Sequence, residues 1–381
     1  MKTIRLSKVA TIKMGQSPPG ETYNRNGDGM PFFQGKADFG DIYPTVRYWC
    51  SAPKTKAEPN DILMSVRAPV GSINLNRIKS SYGRGLAAIR PTDSIDLKYL
   101  YHFLNHHEPK LAELGRGSTF EAVNRDDVED IEIPFPSLPE QKRIAAVLDK
   151  ADRLRRQRRY AQTLSDSFLQ SVFIKMFGDP IFNSRNWDVG ALDDLCSLVI
   201  DCPHSTPVYA ETVTPFACVR TSDIQNGSID WRSTKFVDED EYNTRRARYT
   251  PIVGDVVYSR EGARFGYAAQ IPKGPNVCLG QRMMLLKAQS KVSNNEFISA
   301  LMNSRLIFQQ AENMVNGSAS PHVNVGDIRA FRAILPPLPL QEKFARVVQK
   351  FERIRRHGRE ATRQAEHLFQ TLLHRAFRGE L

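Results

Sequence analysis

The sequence predicts an α+β protein in which two β-rich domains alternate with two long helices. Three observations support this fold class: a phrase repeated 200 residues apart, short β-rich runs broken by Gly, Pro and Asn, and long basic segments without proline. A chain of 381 residues is long enough for two or three domains, each with its own core.

The repeat covers whole modules. The phrase "PSLPEQKRI" (136–144) returns as "PPLPLQEKF" (336–344), and Gly117-Ser118 and Val123-Asn124 return as Gly317-Ser318 and Val323-Asn324. Further upstream the same order of features persists at a smaller offset, as in "NDILMSV" (60–66) and "GDVVYSR" (254–260). A drift in offset is what loop insertions produce, so two modules of nearly 200 residues are duplicated.

Each module has the same predicted order of elements. β-rich runs such as "DILMSV", "GLAAIR", "DVVYS" and "MMLLKA" come first, followed by a shorter helix near 96–107 or 294–313 and by a strand such as "IEIPFP". The prolines exclude a helix through 134–139 and 336–339, and a long helix is expected to begin just after them.

The two long helices are predicted to pack on each other. The stretch from Glu140 to Met176 contains no Pro or Gly. Apolar residues recur every seven positions at 147, 154, 161 and 168, and again at 347, 354, 361 and 368. This spacing is typical of a coiled coil, here interrupted at Arg158 and Gly358. The simplest arrangement is an antiparallel coiled coil roughly 55 Å long with internal pseudo-twofold symmetry.

These patterns divide the chain into four segments. Residues 1–135 and 179–335 form the two β-rich domains, and residues 136–178 and 336–381 form the long helices.

The basic charge is concentrated in the helices. The net charge is +11, of which residues 140–178 and 341–381 carry +5 each. Such an excess favours a polyanionic partner, most often nucleic acid. Three interpretations stay open for "RLRRQRR" (153–159) and "RIRRHGR" (353–359): contact with DNA phosphates, contact with acidic partner proteins, or simple solvation.

Other function classes are disfavoured. There is no signal-peptide run or membrane span, and five scattered cysteines do not make a disulfide framework, so the cytoplasm is the expected compartment and no membrane partner is expected. No Asn/Asp-Pro-Pro-aromatic motif, glycine-rich cofactor loop or P-loop occurs, so no catalytic residue is predicted.

Two short matches have plainer interpretations. Glu140-Gln141-Lys142, with Asp130 upstream, resembles a nuclease motif, but the second copy has Leu340-Gln341-Glu342 in its place. Cys196, Cys202, His204 and Cys218 do not have the spacing of a zinc site and are predicted to be buried thiols with a loop histidine, so no metal is expected.

DNA contacts are expected from polar residues in the module loops, because Arg, Lys, Gln and Asn can bind base edges and Ser and Thr suit phosphates. The candidates in the first module are Gln16, Ser17, Lys36, Arg67, Arg84, Arg116, Ser118 and Asn124. Those in the second are His204, Ser205, Thr206, Arg220, Arg260, Arg264, Gln281, Arg282, Asn316 and Ser318.

The chain resembles the specificity subunits of Type I restriction–modification systems. The resemblance rests on the two helix-leading phrases, on the "GSTFEAVN" and "GSASPHVN" loops, on "VIDCPHSTPVY", and on "DILMSVRAPVGSI" with "GDVVYSREGARFGYAAQI". It implies two target recognition domains that each read one half of an asymmetric double-stranded DNA site, with the helices setting the spacing.

The resemblance also implies partners. Two methyltransferase subunits and, in the full complex, motor–nuclease subunits would bind the S-adenosylmethionine, ATP and magnesium, so this chain would bind no cofactor itself. The alternatives are a specificity subunit of a Type II-like single-partner system, an autonomous nuclease or methyltransferase, and a structural adaptor without a DNA role.

Overall fold

The structure is a computed structural model that describes residues 2–114, 122–225, 227–262, 264–315 and 322–381, without the side chains of Leu114, Asp166, Ser167 and Gln225. The chain divides into two compact units. Unit 1 comprises Met1–Arg159 and Glu360–Leu381, and unit 2 comprises Tyr160–Arg359.

Unit 1 contains eleven strands within the described residues. They are β1 (Thr3–Arg5), β2 (Ala10–Met14), β3 (Tyr23–Asn24), β4 (Met30–Phe33), β5 (Tyr48–Cys50), β6 (Lys56–Ala57), β7 (Ile62–Ser65), β8 (Ile73–Leu75), β9 (Ser80–Tyr82), β10 (Leu86–Pro91) and β11 (Glu132–Pro134). Its helices are α1 (Leu97–Leu114), α2 (Arg125–Glu129) and the first part of the long helix α3 (Leu138–Phe177).

The strands of unit 1 form three sheets. One has the order β2-β10-β7-β8, a second has the order β3-β5-β4-β9-β6, and β1 pairs with β11. Strands β7 and β10 are buried along most of their length, which explains their continuous apolar runs "ILMS" and "LAAI".

Unit 2 repeats the four-stranded sheet and the two-stranded sheet of unit 1. Its described strands are β12 (Asp188–Ala191), β13 (Cys196–Asp201), β14 (Phe216–Val219), β15 (Ile224–Gln225), β16 (Ser228–Ile229), β17 (Lys235–Phe236), β18 (Val256–Ser259), β19 (Ala268–Gln270), β20 (Asn276–Leu279), β21 (Met283–Ala288) and β22 (Arg332–Leu335). Its helices are α4 (Glu239–Arg245), α5 (Asn295–Met302), α6 (Arg305–Met314), α7 (Val325–Arg329), the last part of α3 and the first part of α8 (Leu338–Arg378). The last part of α8 belongs to unit 1.

The sheet orders show the duplication directly. The sheet β13-β21-β18-β19 has the same sequential order as β2-β10-β7-β8, and β12 pairs with β22 as β1 pairs with β11. The mixed α+β composition and the duplicated module predicted from the sequence are thus both present.

Each unit has a core that joins a sheet to parts of both long helices. In unit 1, Ile144 and Leu148 of α3 share a core with Phe369 and Leu373 of α8. In unit 2, Phe173 of α3 and Phe344 of α8 lie in one core, with ring centroids 5.8 Å apart. Burial of apolar surface therefore attaches helix segments from distant parts of the sequence to each β-rich domain.

The long helices begin earlier than expected. Both start at a leucine, Leu138 or Leu338, so Pro139 and Pro339 lie in the first helical turn. The expectation that these prolines exclude a helix was wrong at this point, because the first-turn N–H groups have no intrahelical acceptor and their loss costs nothing.

The heptad positions are less buried than a coiled-coil contact line requires. Leu154 and Leu368 are 38% and 45% exposed, and Ile354 is 59% exposed, whereas Leu148, Phe369 and Leu373 are almost fully buried. A neighbouring stripe of each helix packs into the cores. Within the described residues no helix has the length and apolar character to cross a membrane.

Candidate nucleic-acid interface

In unit 1, several predicted contact residues meet at one end of the four-stranded sheet. β10 runs antiparallel to both β2 and β7, with Ala87 opposite Met14 and Leu86 opposite Ser65. The loop after β2, the turn after β7 and the segment before β10 therefore lie at the same end of this sheet. These segments carry Gln16 and Ser17, Arg67, and Arg84 respectively.

A second sheet ends at the same place. β4 and β9 are parallel, and the N–H of Gly83 donates to the carbonyl of Phe33 at 2.9 Å just beyond their ends. This hydrogen bond brings the segment that bears Arg84 beside the segment that leads to Lys36. Four of the candidate side chains are exposed, namely those of Gln16, Lys36, Arg67 and Arg84.

Two candidates of unit 1 have internal contacts. The Ser17 hydroxyl accepts a hydrogen bond from the N–H of Arg84 at 3.4 Å, which joins the two loops. Asn124 caps helix α2, because its side-chain oxygen accepts from the N–H of Asp127 at 3.0 Å. The cap occupies one acceptor of Asn124 and orients the residue at the helix N-terminus.

Unit 2 has the equivalent arrangement. Asp201 at the end of β13 lies opposite Met284, and Ser259 at the end of β18 lies opposite Met283. The loops after β13 and β18 and the segment before β21 therefore lie together at one end of the sheet, as in unit 1. They carry His204–Thr206, Arg260 and Gln281-Arg282.

A network of ion pairs and hydrogen bonds connects these loops. Arg260, only 4% exposed, pairs with Asp201 at 3.1 Å and approaches His322 at 3.3 Å. His322 lies 2.9 Å from Glu261, which in turn pairs with Arg282 at 3.0 Å. A buried guanidinium needs such partners. Arg260 therefore stabilises the packing of these loops. Arg282, in contrast, has an exposed side chain.

Arg282 has a strained backbone. Its φ is +69°, in the left-handed region that non-glycine residues rarely occupy. Such conformations cost of order 1 kcal/mol or more and concentrate at functional sites. The strained position holds an exposed arginine at the sheet edge, which marks Arg282 as the strongest single candidate of unit 2.

The other candidates of unit 2 hold loops together. Arg220 forms a forked pair with the buried Asp223, at 2.8 and 3.1 Å. Arg264 donates to the carbonyl of Ile224 at 3.1 Å. Gln281 donates from Nε2 to the carbonyl of His204 at 2.7 Å and to the hydroxyl of Thr206 at 3.2 Å. His204, Ser205 and Thr206 keep exposed side chains.

Four predicted contact residues, Arg116, Ser118, Asn316 and Ser318, lie outside the described residues. Their flanking segments reach the sheet edges in both units, through bridges between Arg67 and Ala122 and between Glu261 and His322. The loops "GSTFEAVN" and "GSASPHVN" therefore end beside the other candidate loops.

Sequence reasoning missed several residues of this candidate interface. Asp201, Glu261 and His322 are the partners of Arg260 and Arg282 in the network of ion pairs. Arg245 lies beneath the loop that carries His204. Their roles depend on contacts between residues about 40 to 60 positions apart, for which one sequence carries no signal.

Several arginines of the basic runs form ion pairs within their own units. Arg155 binds Asp152 at 2.6 Å and Glu366 at 3.1 Å, and Arg159 binds Glu366. In unit 2, Arg355 binds Glu352 at 2.8 Å. These ion pairs use donors that the sequence left available for DNA or for partner proteins.

The nuclease-like phrase has a structural use. Glu140 pairs with Arg143 at 2.7 Å on the surface of the first helical turn. Gln141 is fully buried and binds the N–H of Asp96 at 2.8 Å. Gln341 makes the equivalent contact with Asn294 in unit 2. Gln141 and Gln341 thus attach each long helix to its domain, whereas Glu140 serves within the helix.

The cysteines are buried, unpaired thiols. Burial raises the pKa of Cys196 to about 12 and also raises the pKa of Cys202, so both stay protonated at neutral pH. Over the part of the chain that the structure describes, no cluster of three or more His, Cys, Asp or Glu side chains is arranged to hold a metal ion.

The fold and the interface define a class: proteins with two copies of one β-rich module, each with polar loops gathered at one sheet edge and each packed on two long helices. A family model for the Type I restriction modification DNA specificity domain matches residues 1–162 and 185–363. The chain belongs to this family, and the resemblance inferred from the repeated phrases is confirmed.

Individual relatives agree with this assignment. A protein of Methanocaldococcus jannaschii assigned as the MjaX type I restriction enzyme specificity subunit is 45% identical over 148 residues, which are 39% of this chain and 35% of that relative. The MjaIX specificity subunit of the same organism is 24% identical over 318 residues, 77% of this chain and 71% of the relative. The match to the MjaX subunit thus spans about a third of that relative's length.

One solved structure matches nearly the whole chain. The S subunit of a Type-I restriction-modification system from M. genitalium has a TM-score of 0.66, with 99% of this chain and 96% of that chain covered. At 16% identity, this likeness shows the shared fold alone.

Proposed function

We propose that this chain is the DNA sequence-recognition subunit of a Type I restriction–modification complex. Each β-rich domain reads one half of an asymmetric, bipartite double-stranded DNA site. One observation carries the proposal: in a chain of this family, exposed polar side chains gather at the corresponding end of each of the two duplicated sheets. Loops on a rigid sheet can present side chains to base edges in a groove.

The two domains are suited to different half-sites. At equivalent positions before β10 and β21, unit 1 has Arg84-Gly85 and unit 2 has Gln281-Arg282. After β7 and β18, unit 1 has Val66-Arg67 and unit 2 has Arg260-Glu261. A conserved frame with different loop chemistry supports recognition of two unlike sequences.

The helices would set the spacing and dock the methyltransferase subunits. Support comes from antiparallel contacts within each unit: Arg155 meets Glu366 in unit 1, and the rings of Phe168 and Phe351 stack at 4.5 Å in unit 2. Exposed apolar side chains on the same helices offer contact area for a partner: Leu154 and Leu368 in unit 1, and Tyr160, Ile174 and Ile354 in unit 2. The proposal thus includes an antiparallel coiled coil with pseudo-twofold symmetry, in which the exposed heptad residues Leu154, Ile354 and Leu368 lie outside the contact line.

In this proposal the chain itself is non-catalytic. The two methyltransferase subunits, and motor–nuclease subunits in the full complex, would bind S-adenosylmethionine, ATP and magnesium. The complex would act in the cytoplasm, where it meets DNA.

Exchange of a whole domain tests the proposal. Residues 1–135 are replaced by the corresponding segment of another family member, and the variant is expressed with its methyltransferase in a host whose methylated sites are sequenced. We expect one half of the target to change while the other half is retained. A change in both halves, or in neither, contradicts the assignment of one half-site to each domain. A target read with a single partner that both cuts and methylates would favour a Type II-like system.

A further inference from the structure

A buried arginine, Arg245, lies beneath the loop 203–206 of unit 2. Arg245 is the last residue of helix α4, and its side chain is completely shielded from solvent. A buried guanidinium is costly unless its donors are all satisfied. The hydrogen-bond partners of the Arg245 guanidinium therefore show which segments this side chain holds together.

The Arg245 guanidinium binds three segments at once. Its Nε donates to the carbonyl of Leu279 at 2.7 Å, at the end of β20. Its Nη1 pairs with Glu241 at 3.0 Å, one helical turn earlier in α4. Both terminal nitrogens also donate to the loop, to the carbonyl of Pro203 at 3.2 Å and to that of Ser205 at 3.3 and 3.4 Å.

The next carbonyl of the loop is bound by another residue. The carbonyl of His204, between the two that Arg245 holds, accepts from Gln281 Nε2 at 2.7 Å. Three successive carbonyls are thus bound alternately by Arg245 and Gln281. The side chains of His204, Ser205 and Thr206 stay exposed, and that of His204 is 73% exposed.

We infer that Arg245 is a positioning residue for DNA recognition by unit 2, which holds the backbone of 203–206 so that its side chains face the second half-site. This inference rests on the proposed function. Fixing a loop before binding removes the entropic cost of ordering it on DNA and limits the contacts it can make. Loss of this set of hydrogen bonds, the Arg245 clamp, should therefore relax the choice of bases in the second half-site.

The helix that carries Arg245 has no counterpart among the described residues of unit 1. Within the described residues 2–114, unit 1 has no α-helix between β4 and β7, where α4 would correspond. The first half-site therefore provides an internal control in the same molecule.

The test uses Arg245→Lys in the complex with the methyltransferase subunits. Lysine keeps the positive charge but has no planar fork and cannot reach all these acceptors at once. Arg246→Lys is the matched control, because Arg246 is the adjacent residue and is exposed. Methylation rates are measured on the target and on duplexes with each single base-pair change in either half, and the thermal unfolding temperature of each variant is recorded.

The unmodified complex must first discriminate among these duplexes in both halves. If it does not, the proposed function fails and the role of Arg245 is not at issue. If it does, we expect Arg245→Lys to reduce discrimination in the second half by about tenfold or more, the size of a typical base-pair preference. Discrimination in the first half and the behaviour of Arg246→Lys should not change.

Unchanged discrimination in both halves would overturn the inference. An equal loss of discrimination in both halves would also overturn it, because Arg245 binds segments of unit 2. A smaller active fraction slows methylation of every duplex alike and leaves discrimination unchanged. If Arg245→Lys does not fold, Glu241→Gln decides instead, since it removes the charged partner that orients Nη1. A loss confined to the second half then supports the clamp, and wild-type discrimination contradicts it.

Discussion

Gln141 and Gln341 make the same set of hydrogen bonds in two units built from different stretches of the chain. Gln141 accepts from the N–H of Asp96 and donates to the carbonyls of Ser94 and Pro136. Gln341 accepts from the N–H of Asn294 and donates to the carbonyls of Val292 and Pro336. Both glutamines are fully buried. The repeated phrase therefore encodes a joint between each long helix and its β-rich domain.

The first prediction concerns this joint. Gln141→Ala leaves one N–H and two carbonyl groups without their partner, so we expect the free energy of unfolding of unit 1 to fall by about 2 kcal/mol or more. Urea unfolding followed by circular dichroism measures the change. The control is Gln157→Ala, an exposed glutamine of the same helix, which should stay within about 0.5 kcal/mol of the original chain. Equal effects of the two substitutions would rule out the joint.

The second prediction concerns acid stability. Burial opposes ionisation of Asp149, but hydrogen bonds from His102 at 2.8 Å and Lys98 at 2.9 Å outweigh it and lower its pKa to about 2. The ordinary pKa of an aspartate is 3.8. A folded-state pKa below the unfolded value stabilises the fold fully above pH 4, and that stability is lost as pH falls from about 4 to 2.

Asp149→Asn removes this contribution. We expect the variant to be less stable than the original chain at pH 7, with a difference that shrinks steadily between about pH 4 and 2. Thermal unfolding of unit 1 across this pH range measures it. Asp93→Asn, at an exposed site in the same unit, is the control and should follow the original pH profile. A difference that is constant with pH would mean that the charge of Asp149 is not responsible.

The third prediction separates stability from recognition at Arg282. Glycine adopts positive φ without strain, and the relief of that strain offsets the loss of the partly exposed ion pair with Glu261. We therefore expect Arg282→Gly to leave thermal stability unchanged or slightly higher, while affinity for the second half-site falls about tenfold. Electrophoretic or anisotropy titrations of the complex measure the affinity.

Asn60→Gly is the matched control for Arg282→Gly. Asn60 also has a positive φ, +73°, but precedes β7 at the opposite end of its strand from Arg67. Its replacement should affect stability in the same direction and leave DNA affinity unaltered. Retained affinity in Arg282→Gly would remove this residue from the interface.

The fourth prediction treats the long helices as a spacer. Seven residues inserted after Arg158 and seven after Gly358 lengthen each helix by ~10.5 Å and keep its heptad phase. That length corresponds to about three base pairs, which also rotate the far half-site by roughly 100°. We expect either a spacer longer by a few base pairs or a large loss of activity, with the bases read at each end unchanged. Sequencing of methylated sites distinguishes these outcomes, and full activity on the original spacer would show that another element measures the distance.

The sequence by itself determined the architecture at the level of modules. The duplication, the two long helices and the family follow from features that are local or repeated: periodicity, proline placement and a recurring phrase. These features act through backbone geometry and hydrophobic pattern, which neighbouring residues carry.

The tertiary structure decided which side chains do what. Arg260 and Arg282 look alike in the sequence, yet one is buried against Asp201 and the other is exposed at a strained position. The heptad leucines Leu154 and Leu368 are partly exposed, because a neighbouring stripe of each helix is buried against a domain core. Burial and ion pairing depend on contacts between residues far apart in the chain, and a single sequence does not record which partner each side chain meets.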